Sequence, residues 1–270
     1  MTANNQTKIF LRLFYALKLL FISWSFQLYA PYFEQQNGTS TWLGDILTSF
    51  INSNSALYLL SLPYFTLLFL TILRPLNQKI KLTEAFYALV LVACLYSGYH
   101  TGHSIYGFLL CSFPLSFLNH GGNNNNNLFS AAINIHLATY VCSGLWKLII
   151  FIKATAESGM SNASSSFLSH HFTVKLLKVS ATSPYVDWFL DLHWSIKAIT
   201  WLGIIFFQLL LLIPILKNSY PIILGIAIIA FHFGTLVFMD INFIEAQALT
   251  ALFFFLGTEI YNQKENKLEK

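Results

Sequence analysis

The stretch SIKAITWLGIIFFQLLLLIPIL, from Ser195 to Leu216, decides the fold of this chain. It contains a single charged residue, Lys197, and a helix of roughly 20 apolar residues is long enough to cross the hydrocarbon layer of a membrane. Apolar runs recur along the sequence and predict spans near residues 10–30, 56–73, 84–100, 104–118, 128–152, 195–216, 219–238 and 242–260. The predicted fold class is therefore all-α, a polytopic helical membrane bundle of about eight transmembrane helices in a single domain, residues 1–270.

The composition favours the same class of protein. Charged residues make up 10% of the chain, whereas soluble domains carry about 25%. The 26 Phe, 13 Tyr and 6 Trp residues suit a lipid-facing surface with aromatic belts. The net charge of +4 is spread over loop ends, so no nucleic-acid partner is predicted. The three Cys residues lack a metal-binding or disulfide spacing, so no metal is predicted. The apolar, weakly charged composition makes the lipid bilayer the predicted partner.

Loop charges predict the orientation of the bundle. The loop 31–55 contains no Lys or Arg, whereas the loop 74–83 contains three. Positively charged loops stay in the cytoplasm, so the first loop is predicted outside and the second inside. An even number of spans then places both the N-terminus and the tail 261–270 in the cytoplasm. The first apolar run is predicted to stay in the protein as a membrane span and not to be cleaved as a signal peptide. The protein is therefore predicted to be an integral protein of a bacterial inner (plasma) membrane.

The longest connection between predicted spans covers residues 153–195. Its first half is rich in Ser. Its second half contains aromatic and apolar residues at the spacing of amphipathic helices that lie on a membrane surface. The sequence therefore predicts interfacial helices within residues 165–195.

Ionisable residues collect toward the predicted outer face. His100 closes the third span and His103 opens the fourth, Lys147 lies near the outer end of the fifth, Asp191 precedes the sixth, and His232 lies in the outer half of the seventh. A charged group inside a bilayer costs at least ~2.5–3.5 kcal/mol, so such a group is a functional hypothesis by default. A partly desolvated Lys can act as a base, and a neighbouring His can share its proton. The pattern predicts an outer-facing polar cavity.

The inner half of the predicted bundle is poorer in polar groups. His136 is its main polar residue within a span, whereas Glu84 is predicted at a loop edge and Lys18 interrupts the first span. The sequence therefore predicts a functional site only at the outer side.

A simpler interpretation of the outer residues stays open. Lys147 can extend its ammonium group to the lipid headgroups along an apolar stem. In this interpretation His100 and Asp191 are ordinary interface residues, and His232 is a structural histidine.

Two segments carry a resemblance to a known family. The stretch YSGYHTGHSIYGFLL (Tyr96–Leu110) and the stretch ATYVCSGLWKLII (Ala138–Ile150) resemble motifs of the vitamin K-dependent gamma-carboxylases. Later spans, including AFHFGTLVFMDINF (Ala230–Phe243), resemble the same membrane module, also called the horizontally transferred transmembrane domain (HTTM). The resemblance is to a compact form that lacks the extramembrane C-terminal region of the full carboxylases.

The resemblance implies a function and a cofactor. Lys147 falls on the family lysine that deprotonates the quinol, and His103 falls on the histidine associated with that site. The implied cofactor is a membrane quinol of the vitamin K or menaquinol type, with His100, Asp191 and His232 lining its cavity. The implied enzyme is a carboxylase-like lyase or a quinol-linked oxidoreductase that acts on a peptide or small substrate.

Two other functions are compatible with the sequence. One is a non-catalytic membrane accessory in the maturation or export of a secreted peptide or toxin, with such a peptide or a second membrane protein as partner. The other, less favoured because no inverted repeat is evident, is a transporter.

Overall fold

A computed structural model of the chain describes residues 3–29, 54–98, 103–118, 125–165, 191–239 and 243–258. Within these ranges all regular structure is helical and no strand is present, which confirms the all-α prediction. The described α-helices are α1 (Ala3–Tyr29), α2 (Asn54–Leu73), α3 (Gln78–Gly98), α4 (His103–Ser116), α5 (Asn125–Ser158), α6 (Trp194–Leu210), α7 (Leu212–Lys217), α8 (Ile222–Met239) and α9 (Ile244–Ala251), the last continued by a π-helix over Leu252–Gly257.

Every predicted span overlaps one of these helices, or two in succession. By length and composition, the segments Asn125–Ser158 and Trp194–Lys217 are suited to cross a membrane. Of the most apolar stretch of each segment, only 33% and 22%, respectively, is buried inside the protein. A core helix of a soluble protein is mostly buried, whereas these two helices leave most of their apolar surface outside. They suggest that the protein associates with a membrane.

The break between α6 and α7 has a local cause. Pro214 has no N–H to donate to Leu210, four residues earlier, and its ring crowds that carbonyl. The sequence predicted one span over 195–216, and the structure divides it at Leu211. At the end of α7, Asn218 adopts a left-handed conformation with φ of 46°, a common way to end a helix.

The chain forms two compact units. The first contains Met1–Ile135 and Ala248–Lys270, and the second contains His136–Gln247. In the first unit, α1 packs against α2, α2 against α3, and α3 against α4. The end of the first unit nearest the N-terminus of α1 is filled by aromatic rings. The ring of Phe10 lies 4.8 Å from that of Phe129 and 5.8 Å from that of Phe253, between centroids, in the edge-to-face and tilted arrangements that aromatic rings prefer.

In the second unit, α5 approaches α6 closely at Gly144. A Cβ atom built on Gly144 of α5 would lie only 2.9 Å from the Cβ of Gln208, so the absence of a side chain permits the close approach. Further along α5, Phe151 packs with Trp201 and Ile205 of α6. Because residue numbers rise along α5 as their partners' numbers fall along α6, the two helices are antiparallel.

Some sequence predictions fall outside the described residues. The tail 261–270 lies there, as does nearly all of the region 165–195 predicted to hold interfacial helices. His100 also lies outside the described residues.

Candidate functional sites: two buried polar clusters

A polar stripe follows one face of α5 in the second unit. His136, Tyr140, Ser143 and Lys147 are separated by four, three and four residues, the spacing that places side chains above one another on a helix. Eleven residues at about 1.5 Å each give the stripe a length of roughly 16 Å along the helix axis. The stripe turns an otherwise apolar helix into one wall of a polar site.

Lys147 is held by two neutral oxygen atoms. Its Nζ donates to Ser143 Oγ at 2.7 Å and to Gln208 Oε1 at 2.9 Å. Gln208 is 4% exposed and is brought to the lysine by the close contact of α6 with Gly144. These bonds fix the position of a half-buried amine.

His232 of α8 joins the same stripe through a tyrosine. Its Nε2 lies 2.7 Å from the hydroxyl oxygen of Tyr140, and the ring of His136 packs edge-on against Tyr140 with centroids 5.4 Å apart. Lys147 is close enough to act electrostatically on His232. The second ring nitrogen of His232, Nδ1, is buried and has no hydrogen-bond partner among the described residues. That nitrogen is available to a ligand.

The structure gathers only part of the predicted outer site. Lys147 and His232 belong to one polar cluster. Asp191 is exposed, in the turn before α6, while Gln208 lies 14 residues into that helix, or about 20 Å further along its axis. The structure therefore does not bring Asp191 to the lysine. His103 is the first residue of α4, in the other unit, and its side chain is outside the described part, as is His100.

A second polar cluster lies in the first unit, where the sequence predicted no functional site. Lys18 of α1 donates to Glu84 Oε1 of α3 at 2.6 Å and to Ser112 Oγ of α4 at 2.5 Å. The side chains of Lys18 and Glu84 are both 0% exposed. The rings of Tyr15 and Tyr64 each lie 5.9 Å from the Lys18 Nζ, within range of a cation–π interaction. Four helices of this unit therefore meet at one buried ion pair.

The signal for this pair was present in the sequence. Lys18 and Glu84 carry opposite charges in the first and third apolar segments, and ionisable groups within a membrane are usually paired. Glu84 was predicted at a loop edge because the third predicted span begins at residue 84, whereas α3 begins at Gln78. The structure corrects that prediction, since Glu84 is fully buried.

A third lysine closes the end of a helix. Lys81 Nζ donates to the carbonyl oxygen of Leu115 at 3.3 Å and to that of Leu118. Leu115 lies in the last turn of α4, and its carbonyl also accepts from the Leu118 N–H at 3.2 Å. Leu118 lies two residues past the helix end, where the helix dipole favours a cation. Lys81 therefore has a structural role in this unit.

The chain has no significant match to a family model, to a curated protein or to a solved structure. Among the described residues, no group of three or more His, Cys, Asp or Glu side chains is placed to hold a metal ion.

Proposed function

We propose that the protein is a polytopic membrane protein of about eight spans that binds a membrane quinol beside Lys147. In this proposal it is a carboxylase-like lyase or a quinol-linked oxidoreductase of a bacterial inner membrane, acting on a peptide or small substrate at the outer face. The resemblance at Ala138–Ile150 motivates the choice of cofactor. The polar cluster of Lys147 and His232 in an apolar unit is the observation that carries the proposal.

The available atoms fit the headgroup of a quinol. A quinol hydroxyl donates one hydrogen bond and accepts others. The unpartnered Nδ1 of His232 accepts that hydrogen bond in the tautomer whose Nε2–H donates to the hydroxyl oxygen of Tyr140. The Lys147 amine is held by two oxygen acceptors. A neutral amine has two N–H groups and one lone pair, so it keeps both bonds and still accepts a proton at Nζ.

The residues of this site then have distinct roles. Ser143 and Gln208 orient the Lys147 Nζ. Lys147 is the base that takes a proton from a bound quinol, as a partly desolvated lysine is able to do. Tyr140 holds His232 by its Nε2 and so directs Nδ1 toward the ligand. When bound, a quinol would supply the electrons for its reaction with oxygen.

The first test is whether a quinone co-purifies with the protein. The wild-type chain is purified in detergent from a bacterial membrane, and its bound lipids are extracted and measured by mass spectrometry. We expect a quinone near one equivalent per chain in the wild type and at least a tenfold loss in Lys147→Ala, because the substitution removes the amine that contacts the headgroup.

Lys153→Ala is the matched control. Lys153 lies on the same helix but its side chain is 75% exposed, and it pairs loosely with Glu157 at 3.9 Å. It should retain the quinone of the wild type. Wild-type protein that contains no quinone, even after menaquinone is added before purification, would exclude the enzyme and leave the accessory role in peptide or toxin maturation as the alternative.

A further inference from the structure

Three buried polar atoms surround the Lys18–Glu84 ion pair without hydrogen bonds of their own. They are the second carboxylate oxygen of Glu84, Oε2, and the hydroxyl oxygens of Tyr15 and Tyr64, none of which has a partner among the described residues. All three side chains are fully buried. The carboxylate acts electrostatically on both hydroxyls, and the Tyr64 hydroxyl comes close to it without a well-aligned bond. Buried polar groups are normally hydrogen-bonded, and each exception requires an explanation.

We propose that these atoms bind an internal water molecule. A water molecule donates two hydrogen bonds and accepts two, so it is able to donate to Glu84 Oε2 and accept from the hydroxyls of Tyr15 and Tyr64. Buried waters typically make about three hydrogen bonds to polar groups that lack other partners. The site offers that number of partners.

Size and charge select water over other ligands. The surrounding residues Tyr15, Lys18, Tyr64 and Glu84 are each 0% exposed, so they leave no room for a ligand larger than a water molecule, and a water fits only when these side chains shift slightly. The charges of Lys18 and Glu84 already balance each other, so the ligand is neutral. Water is the neutral molecule of this size that both donates and accepts.

The proposed water would join three helices that the ion pair joins only in part. Tyr15 lies on α1, Tyr64 on α2 and Glu84 on α3. The direct bonds of Lys18 reach α3 and α4, whereas the water adds α2. The proposal concerns the first unit alone and does not depend on quinol binding at Lys147.

Radiolytic labelling of the wild-type protein tests the proposal without any substitution. Hydroxyl radicals produced by a short X-ray pulse from a bound water oxidise the side chain beside it, and mass spectrometry locates the product. Phe14 is the matched control, because it precedes Tyr15 and is equally buried, at 0% exposed. We expect Tyr15 to be oxidised at least several-fold faster than Phe14. Equal rates at the two rings would overturn the proposal.

Removal of a single hydroxyl group gives an independent test. If a water occupies the site, Tyr15→Phe removes one of its hydrogen bonds and should lower the Tm in detergent by roughly 2–4 °C. Tyr64→Phe should have a similar effect, and the double variant less than the sum, because both hydroxyls bind one molecule. If the site is dry, each variant removes an unsatisfied polar group, and an unchanged or higher Tm would contradict the proposal.

Discussion

The contribution of Lys18 to stability depends on its partner Glu84, because both charges are buried. With both side chains fully buried, the Lys18–Glu84 pair offsets a large desolvation penalty through its short contact and the bond to Ser112. Removing one partner leaves an uncompensated charge, which typically costs about 3–5 kcal/mol, whereas replacing both partners by apolar residues of similar volume can be neutral. Removing one charge of the pair and removing both should therefore change the free energy of unfolding by different amounts.

We predict that Glu84→Gln lowers the free energy of unfolding by about 3–5 kcal/mol. The double variant Lys18→Met/Glu84→Met should recover most of that loss. Both are measured by denaturant-induced unfolding in detergent micelles. The exposed pair of Lys153 and Glu157 is the control, and Glu157→Gln should leave stability unchanged, since exposed pairs contribute little. A double variant as unstable as Glu84→Gln would show that charge compensation is not the cause.

At this scale the sequence indicated two members of the Lys147 cluster and none of the Lys18 cluster as site residues. Lys147 and His232 were recognised as polar residues in apolar segments, and the structure places both in one cluster. Gln208 was missed because an amide in an apolar run is a weaker signal than a charge. Its contact with Lys147 depends on the rotation of two helices about their axes, which the sequence does not specify.

At the scale of the element, the contact of α5 with α6 positions the Lys147 site. Gly144 lies where a Cβ would come within 2.9 Å of Gln208, and Gln208 is the residue of α6 that accepts the bond from Lys147. A side chain at this position would separate the helices at the level of the lysine. A larger residue at position 144 should therefore lower both the stability of the protein and the binding of a ligand beside Lys147.

We predict that Gly144→Ala destabilises the protein by about 1–3 kcal/mol through overpacking and reduces the bound quinone. Gly203→Ala is the matched control, because Gly203 lies in α6 where an added Cβ would meet no atom within 4 Å. That control should gain up to about 1 kcal/mol from helix propensity. Unfolding measurements and quinone extraction from both variants decide the outcome. A stabilised Gly144→Ala would show that the helices do not meet there.

The positions of the helices were predictable, but their packing was not. Apolar runs located the helices because a long apolar segment buries its backbone polar groups most readily by forming the internal hydrogen bonds of a helix. The segments α2 and α3 show almost no amphipathic periodicity, so their sequences do not indicate which face meets a neighbour. The burial of Glu84 could be seen only in three dimensions.

At the scale of the whole molecule, topology links the two units through helices α5 and α9, each of which contributes residues to both. The orientation in the membrane remains a prediction from loop charges. It is testable at exposed turns of the structure.

Cysteine labelling at two turns tests both the orientation and the number of spans. Lys79, in the first turn of α3, and Ser219, between α7 and α8, are both exposed. Four predicted spans separate them, so an even crossing number places them on the same side. In a background lacking the three native Cys residues, we predict that Lys79→Cys and Ser219→Cys resist a membrane-impermeant maleimide in intact cells and react after permeabilisation. Asn37→Cys, in the loop predicted outside, should react in both conditions.

Reaction of both turn positions in intact cells would invert the orientation and move the Lys147 cluster to the cytoplasmic face. If only one reacts, the number of crossings between them is odd, so one of the helices α3 to α6 does not cross the membrane.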